Sequence, residues 1–454
     1  MLDRWIFDVR FVFRVVSRTS RSIVFPLCLA PARCLSSRRV YLKLISLLGL
    51  ATMVAVAWAI SMDRKRFPWR TVWWGLSLQL IFAIIITQTA FGRLVFEWAQ
   101  DAVNRLNLCA NEGAKMVFGP LADDKVVANA FGAQNVFIFV VSVSATIIVV
   151  SALSSLLYHL GILQRVVQAM AWVMQRAMRT SGSESLAAAA NIFMGQTEAP
   201  LVIKPYLART TQSELLAIMT GGMATIAGGV AVAYVSLGVN AGHLLAASVM
   251  SAPASLMIAK IILPEKEQSE TADSTAAGKI EKTSTNSIDA LCRGASEGMT
   301  LAINVMAMLI AFVAVVALVN FLLGRAQQVF GVTHPINLQT IFGWVNAPFA
   351  WLMGVPKKDC VTIGGILGER IVLNEFIGYL SLTGKKAELD QRSIILATYA
   401  LCGFANFSSI AIQIGGIGAL APSRRSDLAA LGLRAMIGGL LACYLTATIV
   451  GILL

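Results

Sequence analysis

The sequence predicts an all-α polytopic membrane protein. Of its 454 residues, 57% are hydrophobic and only 13% are charged, and the mean hydropathy is +0.72. A soluble chain of this length would carry about 25% charged residues. Several uncharged stretches reach the roughly 20 residues that a helix needs to cross a bilayer. The short alternating segments of a membrane barrel do not occur in the sequence, so we expect spanning helices.

Eight transmembrane helices are predicted from these apolar stretches, at about 41–60, 69–90, 127–158, 215–237, 241–262, 298–324, 391–420 and 430–453. Segments 92–108, 161–179 and 337–353 have helical periodicity and carry tryptophans that suit the membrane interface. Residues 1–40 are rich in arginine and lack a clean apolar run. We interpret them as a disordered or surface tail; a membrane-surface helix or a targeting peptide is the alternative.

Two apolar segments, 182–206 and 357–382, are too short for two crossings and too apolar for loops. Each has a polar cluster at its middle, which contains Glu198 in the first segment and Glu375 in the second. An ionised group at membrane depth is costly and is usually retained for function. Irregular backbone at that depth is tolerated where it is buried in protein or lines a watery cavity. Both segments are therefore predicted to be re-entrant helical hairpins.

Each predicted hairpin is followed by a span that small or polar residues interrupt, at 220–229 and at 402–409. Counting spans along the chain places the two hairpin entries on opposite sides of the membrane. A hairpin followed by a broken span, repeated with opposite entry, is typical of secondary transporters with an inverted repeat. Broken helices expose backbone N–H and C=O groups that can bind polar solutes and cations.

Charge and motifs exclude other classes of function. The net charge of +13 lies in short segments beside apolar spans, which indicates membrane topology rather than nucleic-acid binding. The seven cysteines form no CxxC pair and the three histidines are far apart, so neither zinc nor a disulfide framework is indicated. The sequence has no HExxH or GxSxG motif, so we do not expect an enzyme.

Polar side chains of the two halves could bind one solute together. Gln196, Thr197 and Glu198 offer donors, acceptors and a charge within three residues, and Glu375, Asn406 and Ser409 offer the same from the second half. A carboxylate suits a pair of sugar hydroxyls and an amide suits the edge of a heterocycle. The aromatic ring of Phe404 could pack against a flat ring.

These residues belong to motifs that resemble the concentrative nucleoside transporter family. The motifs are Gly195-Gln196-Thr197-Glu198-Ala199-Pro200-Leu201, Lys204-Pro205-Tyr206-Leu207, Asn374-Glu375-Phe376 and Cys402-Gly403-Phe404-Ala405-Asn406-Phe407-Ser408-Ser409. The match runs from about residue 42 to the C-terminus. The resemblance implies a homotrimer, two oppositely oriented hairpins, an elevator-type motion and cation-coupled uptake of nucleosides.

The resemblance also implies roles for particular residues. Those that would contact the nucleobase are Gln196, Thr197, Glu198 and Val230. Those that would hold the ribose are Glu375, Asn406 and Ser409, with Phe404 packed against the nucleoside. The residues that would bind sodium through their backbone carbonyls are Asn191, Met194, Thr225 and Ile226. The side chains of Asn191 and Thr225 would bind it as well. Thr225 keeps a hydroxyl where some members have serine, so we expect sodium as the coupling ion; a proton is the alternative.

The chain is accordingly predicted to be a sodium-coupled nucleoside symporter of the plasma or bacterial inner membrane. It would take both purine and pyrimidine nucleosides and need no other cofactor; a channel for polar solutes is a less favoured alternative. The predicted parts are a tail (1–40), N-terminal spans that form part of the scaffold (41–180), a hairpin with its broken span in the transport domain (181–262), a cytoplasmic loop (263–297), a scaffold span (298–356) and the second hairpin with its broken span (357–454).

Overall fold

A computed structural model describes residues 30–132, 138–272, 284–332 and 336–454, and all regular structure in these ranges is helical. The helices before the first hairpin are α1 (Ala30–Ala59), α2 (Trp69–Gln88), α3 (Ala90–Phe118), α4 (Asp124–Phe131), α5 (Phe139–His159) and α6 (Ile162–Met178), with a short 3-10 helix at Gly119–Ala122. Most of the predicted tail, residues 1–29, lies outside the described residues. The helix predicted from about residue 41 begins in the structure at Ala30.

The first hairpin and its broken span follow. Their elements are α7 (Gly182–Ala190), a 3-10 helix (Ala199–Ile203), α8 (Lys204–Leu207), α9 (Gln212–Ala224), α10 (Gly228–Ser236) and α11 (Ala241–Ile262). The remaining elements are α12 (Ser287–Val329), α13 (Leu338–Leu352), α14 (Cys360–Val372), α15 (Glu375–Gly384), α16 (Gln391–Leu401), α17 (Phe407–Leu420) and α18 (Arg425–Leu453), with 3-10 turns at Lys357–Asp359 and Pro422–Arg424.

Seven helices of the described residues are long and apolar enough to cross a membrane, if the broken span Gln212–Ser236 is counted as one. The other predicted span, 391–420, is divided between α16 and α17. Burial separates the core from the periphery: 89% of the most apolar stretch is buried in Gln212–Ser236 and in α11, against 6% in α12. The helix α12 packs along α5. Its apolar side chains otherwise face outward, as a bilayer permits.

Two boundaries differ from the sequence-based expectation. The span predicted over 127–158 begins at Phe139, because a separate helix, α4, covers the start of that range and ends at Phe131. The next residue, Gly132, has a φ of 87°, which glycine accommodates. The predicted loop 263–297 already enters α12 at Ser287. There Asn286 caps the helix by accepting from the Asp289 N–H at 2.8 Å.

The first part of that predicted loop packs against the base of the first hairpin. The carbonyl of Thr271 accepts a hydrogen bond from Gly182 N at 2.9 Å, and its hydroxyl accepts one from Ser183 N at 3.1 Å. The hydroxyl of Ser269 donates to Glu214 Oε1 at 2.5 Å. Residues up to 272 are therefore fixed to α7, whose first N–H groups need acceptors, and to α9, where the buried Glu214 carboxylate needs donors.

A buried ion pair lies beside these helix starts. Lys260 Nζ is 2.8 Å from Glu184 Oε2 and 3.1 Å from Glu265 Oε2, and the side chains of Lys260 and Glu184 are only 7% and 1% exposed. Lys260 Nζ also donates to Ser213 Oγ at 2.9 Å. Glu184 completes a capping box with Ser181, whose N–H donates to Glu184 Oε1 at 2.7 Å. Lys260 thus joins the ends of α7, α9 and α11.

Candidate substrate and cation site

The two broken spans meet at their breaks. The first break separates α9, which ends at Ala224, from α10, which begins at Gly228; the second separates α16 from α17. Phe404 N in the second break donates to the Thr225 carbonyl in the first, at 3.2 Å. An unwound segment of one half therefore donates a hydrogen bond to a backbone carbonyl that the unwound segment of the other half leaves without a helical partner.

A glycine permits this close approach. A Cβ on Gly403 would lie 2.7 Å from both the Met223 carbonyl oxygen and Cys443 Sγ, and 2.9 Å from the Ala224 carbonyl carbon. The thiol of Cys443 lies 3.5 Å from the Ala224 carbonyl oxygen and 3.3 Å from that of Cys402, where it can donate to either. Any larger residue at 403 would push the two breaks apart.

Glu375 is held by both halves of the protein. It is the first residue of α15, after Asn374, which caps that helix by accepting from Ile377 N at 3.1 Å. The Tyr234 hydroxyl on α10 donates to Glu375 Oε1 at 2.7 Å, and Asn406 Nδ2 donates to Oε2 at 3.1 Å. Glu375 is 5% exposed. The carboxylate is therefore buried with a donor on each oxygen, an arrangement that stabilises its charged form.

Gln196 connects the first hairpin to α17. Its Nε2 donates to Ser409 Oγ at 3.1 Å, and its Oε1 accepts from Gln413 Nε2 at 3.1 Å. Ser409 N in turn donates to Asn406 Oδ1 at 2.9 Å, which caps α17. The structure therefore links Gln196, Ser409, Asn406 and Glu375 in one continuous network between the two hairpins.

The other predicted substrate residues lie around this network or apart from it. Glu198 is exposed, accepts from Gly195 N at 3.2 Å, and lines a cavity of about 120 Å³ together with residues of α5 and α12. The methyl group of Thr197 faces Gly416, where an added Cβ would lie 2.6 Å away. Val230 is buried, and Phe404 is half-buried. The two acidic side chains thus belong to different surroundings, and Gln196 rather than Glu198 connects the halves.

The predicted cation ligands surround the first break. Asn191 is 1% exposed, and neither its Oδ1 nor its Nδ2 has a hydrogen-bond partner within the described parts of the chain. Thr225 Oγ1 donates to the Gly221 carbonyl at 2.9 Å and keeps its lone pairs. Because a buried amide oxygen without a donor is costly, an oxygen-binding cation would satisfy it. The donor set of Asn191 and Thr225 therefore fits a small hard cation.

Two basic residues near the hairpin tips do not pair with the glutamates. Arg370 is fully buried and donates to the Ala400 carbonyl at 2.6 Å and to Cys443 Sγ at 3.3 Å. Ala400 is the penultimate residue of α16, so the guanidinium binds the carbonyl end of that helix, where a positive charge is favoured. Lys204 is exposed. Neither Arg370 nor Lys204 therefore neutralises Glu198 or Glu375 through a direct ion pair.

Sequence reasoning did not identify Tyr234 and Gln413. Both lie one helical turn beyond a residue that was identified: Tyr234 follows Val230 by four positions, and Gln413 follows Ser409 by four. Residues four apart share one face of a helix. A tyrosine and a glutamine in otherwise apolar helices, on the face of predicted site residues, are the signal that would have found them.

Family models match almost the whole chain from residue 48 onward. They are described as Na+ dependent nucleoside transporter N-terminus (residues 48–121), nucleoside recognition (140–240) and Na+ dependent nucleoside transporter C-terminus (243–451). An uncharacterized transporter of Bacillus subtilis, YutK, is 44% identical over 405 residues, which cover 89% of this chain and 98% of that protein. The chain belongs to the sodium-dependent nucleoside transporter family.

Solved structures agree with this membership. CNTnw in an inward-facing, substrate-bound state is 37% identical, with a TM-score of 0.85 over 90% of this chain and 97% of that chain. Sodium/nucleoside cotransporter 2 of Rattus norvegicus is 37% identical over 426 residues, which are 90% of this chain and 63% of the relative. The chain is thus a multi-pass membrane protein of a transporter family rather than an enzyme, and the family supports cotransport of nucleosides.

Proposed function

We propose that this transporter couples the entry of a nucleoside to the entry of sodium by alternating access. The observation that carries the proposal is the network from Gln196 through Ser409 and Asn406 to Glu375 and on to Tyr234, which joins both hairpins and both broken spans. Polar groups from opposite halves that converge at two helix breaks are typical of transporter substrate sites. One solute bound there would hold the two halves in a common arrangement.

The proposed ligand roles follow the chemistry of each side chain. Glu375 accepts hydrogen bonds from ribose hydroxyls, with Asn406 and Ser409 beside it, because a carboxylate is the strongest acceptor for a diol. The residues proposed to contact the nucleobase are Gln196, Thr197, Glu198 and Val230. Phe404 is proposed to pack against the nucleoside. Glu198 would reach the base through the cavity that it lines. Both purine and pyrimidine nucleosides are proposed substrates.

The proposed sodium ligands are the carbonyls and side chains around the first break, namely Asn191, Met194, Thr225 and Ile226. This site adjoins the Thr225 carbonyl that receives Phe404 N, so a cation there would organise the backbone on which Phe404 is carried. Sodium would therefore favour the substrate-competent state, and by linkage the nucleoside would favour sodium binding to the same degree.

The remaining elements of the proposal concern assembly and motion. The exposed apolar helix α12 and its neighbour α5 would form a fixed scaffold in a homotrimer, within the bacterial inner or plasma membrane. The hairpins and broken spans would move together as a transport domain, in an elevator-type motion. The proposed parts of the chain keep the predicted boundaries, except that the helix α12 begins at Ser287, within the predicted cytoplasmic loop.

Uptake into proteoliposomes tests the function itself. Radiolabelled uridine should accumulate above its external concentration when sodium is imposed outside, and should not accumulate when choline replaces sodium at the same pH. Accumulation driven by a pH gradient in choline would assign the coupling to protons instead. Equilibration without accumulation under any gradient would indicate a channel.

Replacing Thr225 by valine tests the cation site. Valine has the same shape but no hydroxyl, so one sodium ligand is lost while the backbone carbonyls remain. We expect the sodium concentration for half-maximal uridine uptake to rise about tenfold, with little change in the maximal rate at saturating sodium. The matched control is Thr220→Val, because Thr220 lies on α9 just before the break, is buried, and its hydroxyl has no partner within the described residues. An unchanged sodium dependence in Thr225→Val would remove that hydroxyl from the site.

A further inference from the structure

The amide of Gln413 has an orientation that its neighbours determine. Gln413 is fully buried on α17, and its Nε2 lies 3.0 Å from the Met219 carbonyl oxygen and 3.1 Å from Gln196 Oε1. A backbone carbonyl can only accept, so the amide atom that faces Met219 must be the NH₂ group. The reversed amide would place a carbonyl oxygen against two other oxygens. The contact with Met219 therefore fixes Gln413 as a donor.

The orientation of Gln196 follows from that of Gln413. Because Gln413 presents an NH₂ group, the atom of Gln196 that faces it must be Oε1, and the Gln196 Nε2 must face the opposite way, toward Ser409 Oγ at 3.1 Å. The hydrogen bonds thus run in one direction, from Gln413 to Gln196 to Ser409. Ser409 uses only one N–H of Gln196, which leaves the other N–H to donate to a ligand bound at this site.

The two glutamines fit together because the neighbouring residue of the first broken span has no side chain. A Cβ on Gly222 would lie 2.8 Å from Gln413 Nε2 and 2.9 Å from Gln196 Cβ. Gln413 Oε1 has no partner within the described residues. A buried amide that leaves one atom unsatisfied is unfavourable for stability alone. The arrangement is therefore better explained by the direction that it imposes on Gln196.

We propose that Gln413 is a specificity-determining positioning residue, which fixes Gln196 as a hydrogen-bond donor to the nucleobase. The inference rests on the proposed function, in which Gln196 contacts the base. A donor favours a base that carries a carbonyl oxygen at that edge, as in uridine and inosine. It disfavours a base that carries an amino group there, as in cytidine and adenosine, because two donors then face each other.

The ratio of uridine to cytidine transport tests this role. Initial uptake rates at low concentrations are measured with the full chain in proteoliposomes under an inward sodium gradient. The wild type should prefer uridine, and Gln413→Met should lower the uridine-to-cytidine ratio by about three- to tenfold, because the Gln196 amide becomes free to turn. The matched control is Gln79→Met: Gln79 on α2 is also fully buried, donates to the Gly75 carbonyl at 3.0 Å, and has an unpartnered Oε1 within the described residues. It should leave the ratio unchanged.

A second variant reverses the chemistry of the group itself. In Gln196→Glu, Gln413 Nε2 can still donate to residue 196, but the atoms that face the ligand can only accept. We expect the preference to shift toward cytidine. The uridine-to-cytidine ratio is the quantity of interest, because it compares two neutral nucleosides in one variant and is independent of any common effect of the new carboxylate on both rates.

Three results would overturn the inference. The first is a wild type that takes up cytidine as well as or better than uridine. The second is a Gln413→Met variant in which both rates fall by the same factor, which would make Gln413 a structural residue only. The third is equal transport of uridine and the pyrimidin-2-one riboside by the wild type. That riboside lacks the 4-oxygen of uridine, so a donor at residue 196 should discriminate against it. Failure to transport any nucleoside would instead refute the proposed function.

Discussion

Replacing Glu375 by glutamine is expected to lower uridine uptake by about 100-fold at low uridine concentration. A carboxylate accepts hydrogen bonds from two ribose hydroxyls with charge assistance, and glutamine offers one neutral acceptor. The loss of about 3 kcal/mol of such bonding corresponds to about 100-fold. The measurement is the initial rate of radiolabelled uridine uptake into proteoliposomes with an inward sodium gradient.

The fold should tolerate this substitution because its partners can adapt. Asn406 cannot turn its amide, since its Oδ1 caps α17 by accepting from Ser409 N. The glutamine oxygen must therefore face Asn406, and its NH₂ group must face Tyr234. A tyrosine hydroxyl can reverse and accept. We thus expect normal amounts of monodisperse protein, which separates a defect in binding from a defect in folding.

The control for this variant is Glu369→Gln. Glu369 is a half-buried carboxylate on α14, the preceding helix of the same hairpin, and lines a different cavity with Phe342 and Val316. Its replacement should leave uridine uptake within a factor of about two, because Glu369 takes no part in the hydrogen-bond network of Glu375. Unchanged uptake in Glu375→Gln, or an equal loss in both variants, would count against the sugar-binding role of Glu375.

The hairpins and breaks could be predicted from sequence because their signals are local. A glutamate flanked by polar residues in an apolar stretch, as at 196–198 and 374–375, indicates a functional site in a membrane protein, because a buried charge is costly there. Glycine and small polar residues at 220–229 and 402–409 marked the interrupted spans in the same way. The structure divides both spans there, at 225–227 and at 402–406.

The pairing of groups across the site could not be predicted, because it depends on where distant segments meet. Tyr234 and Glu375 are 141 positions apart, and Gln196 and Gln413 are 217 apart. A lone tyrosine or glutamine in an apolar helix is consistent with any interhelical hydrogen bond. The sequence therefore indicated Glu375 and its donor Asn406, but not the contacts that Tyr234 and Gln413 make with the site. The position of Arg370 depends on the fold in the same way, because its guanidinium binds the carbonyl end of α16 at Ala400, 30 positions further along the chain.

The ion pair of Lys260 escaped sequence analysis for the same reason. Lys260 lies near the end of a predicted span, where a basic residue ordinarily reaches water, and Glu184 lies 76 positions earlier. The fold instead buries both side chains at the junction of α7, α9 and α11. The segment predicted to be a cytoplasmic loop contributes Glu265 to the same ammonium group. Its order follows from the demand of buried charges for partners.

Replacing Lys260 by methionine is expected to cause a large loss of stability. Methionine fills the volume but leaves Glu184, at 1% exposure, with no counter-charge. Removing one member of a buried ion pair costs about 3–5 kcal/mol. The measurement is the melting temperature of the detergent-solubilised protein, with the yield of monodisperse protein as a second readout.

A double variant and a surface control decide whether the buried charge is the cause. Adding Glu184→Gln to Lys260→Met should recover much of the lost stability, because a neutral glutamine can still accept from Ser181 N and the one carboxylate left without Lys260, Glu265, is 30% exposed to solvent. The control is Lys266→Met: Lys266 is 50% exposed and pairs with Asp63 at 2.9 Å, so its loss should change the melting temperature little. Equal melting temperatures for the single and the double variant would show that the methionine disturbs packing instead. Because α7 carries the Gln196 hairpin and α9 carries the first break, recovery in the double variant should also restore uridine uptake.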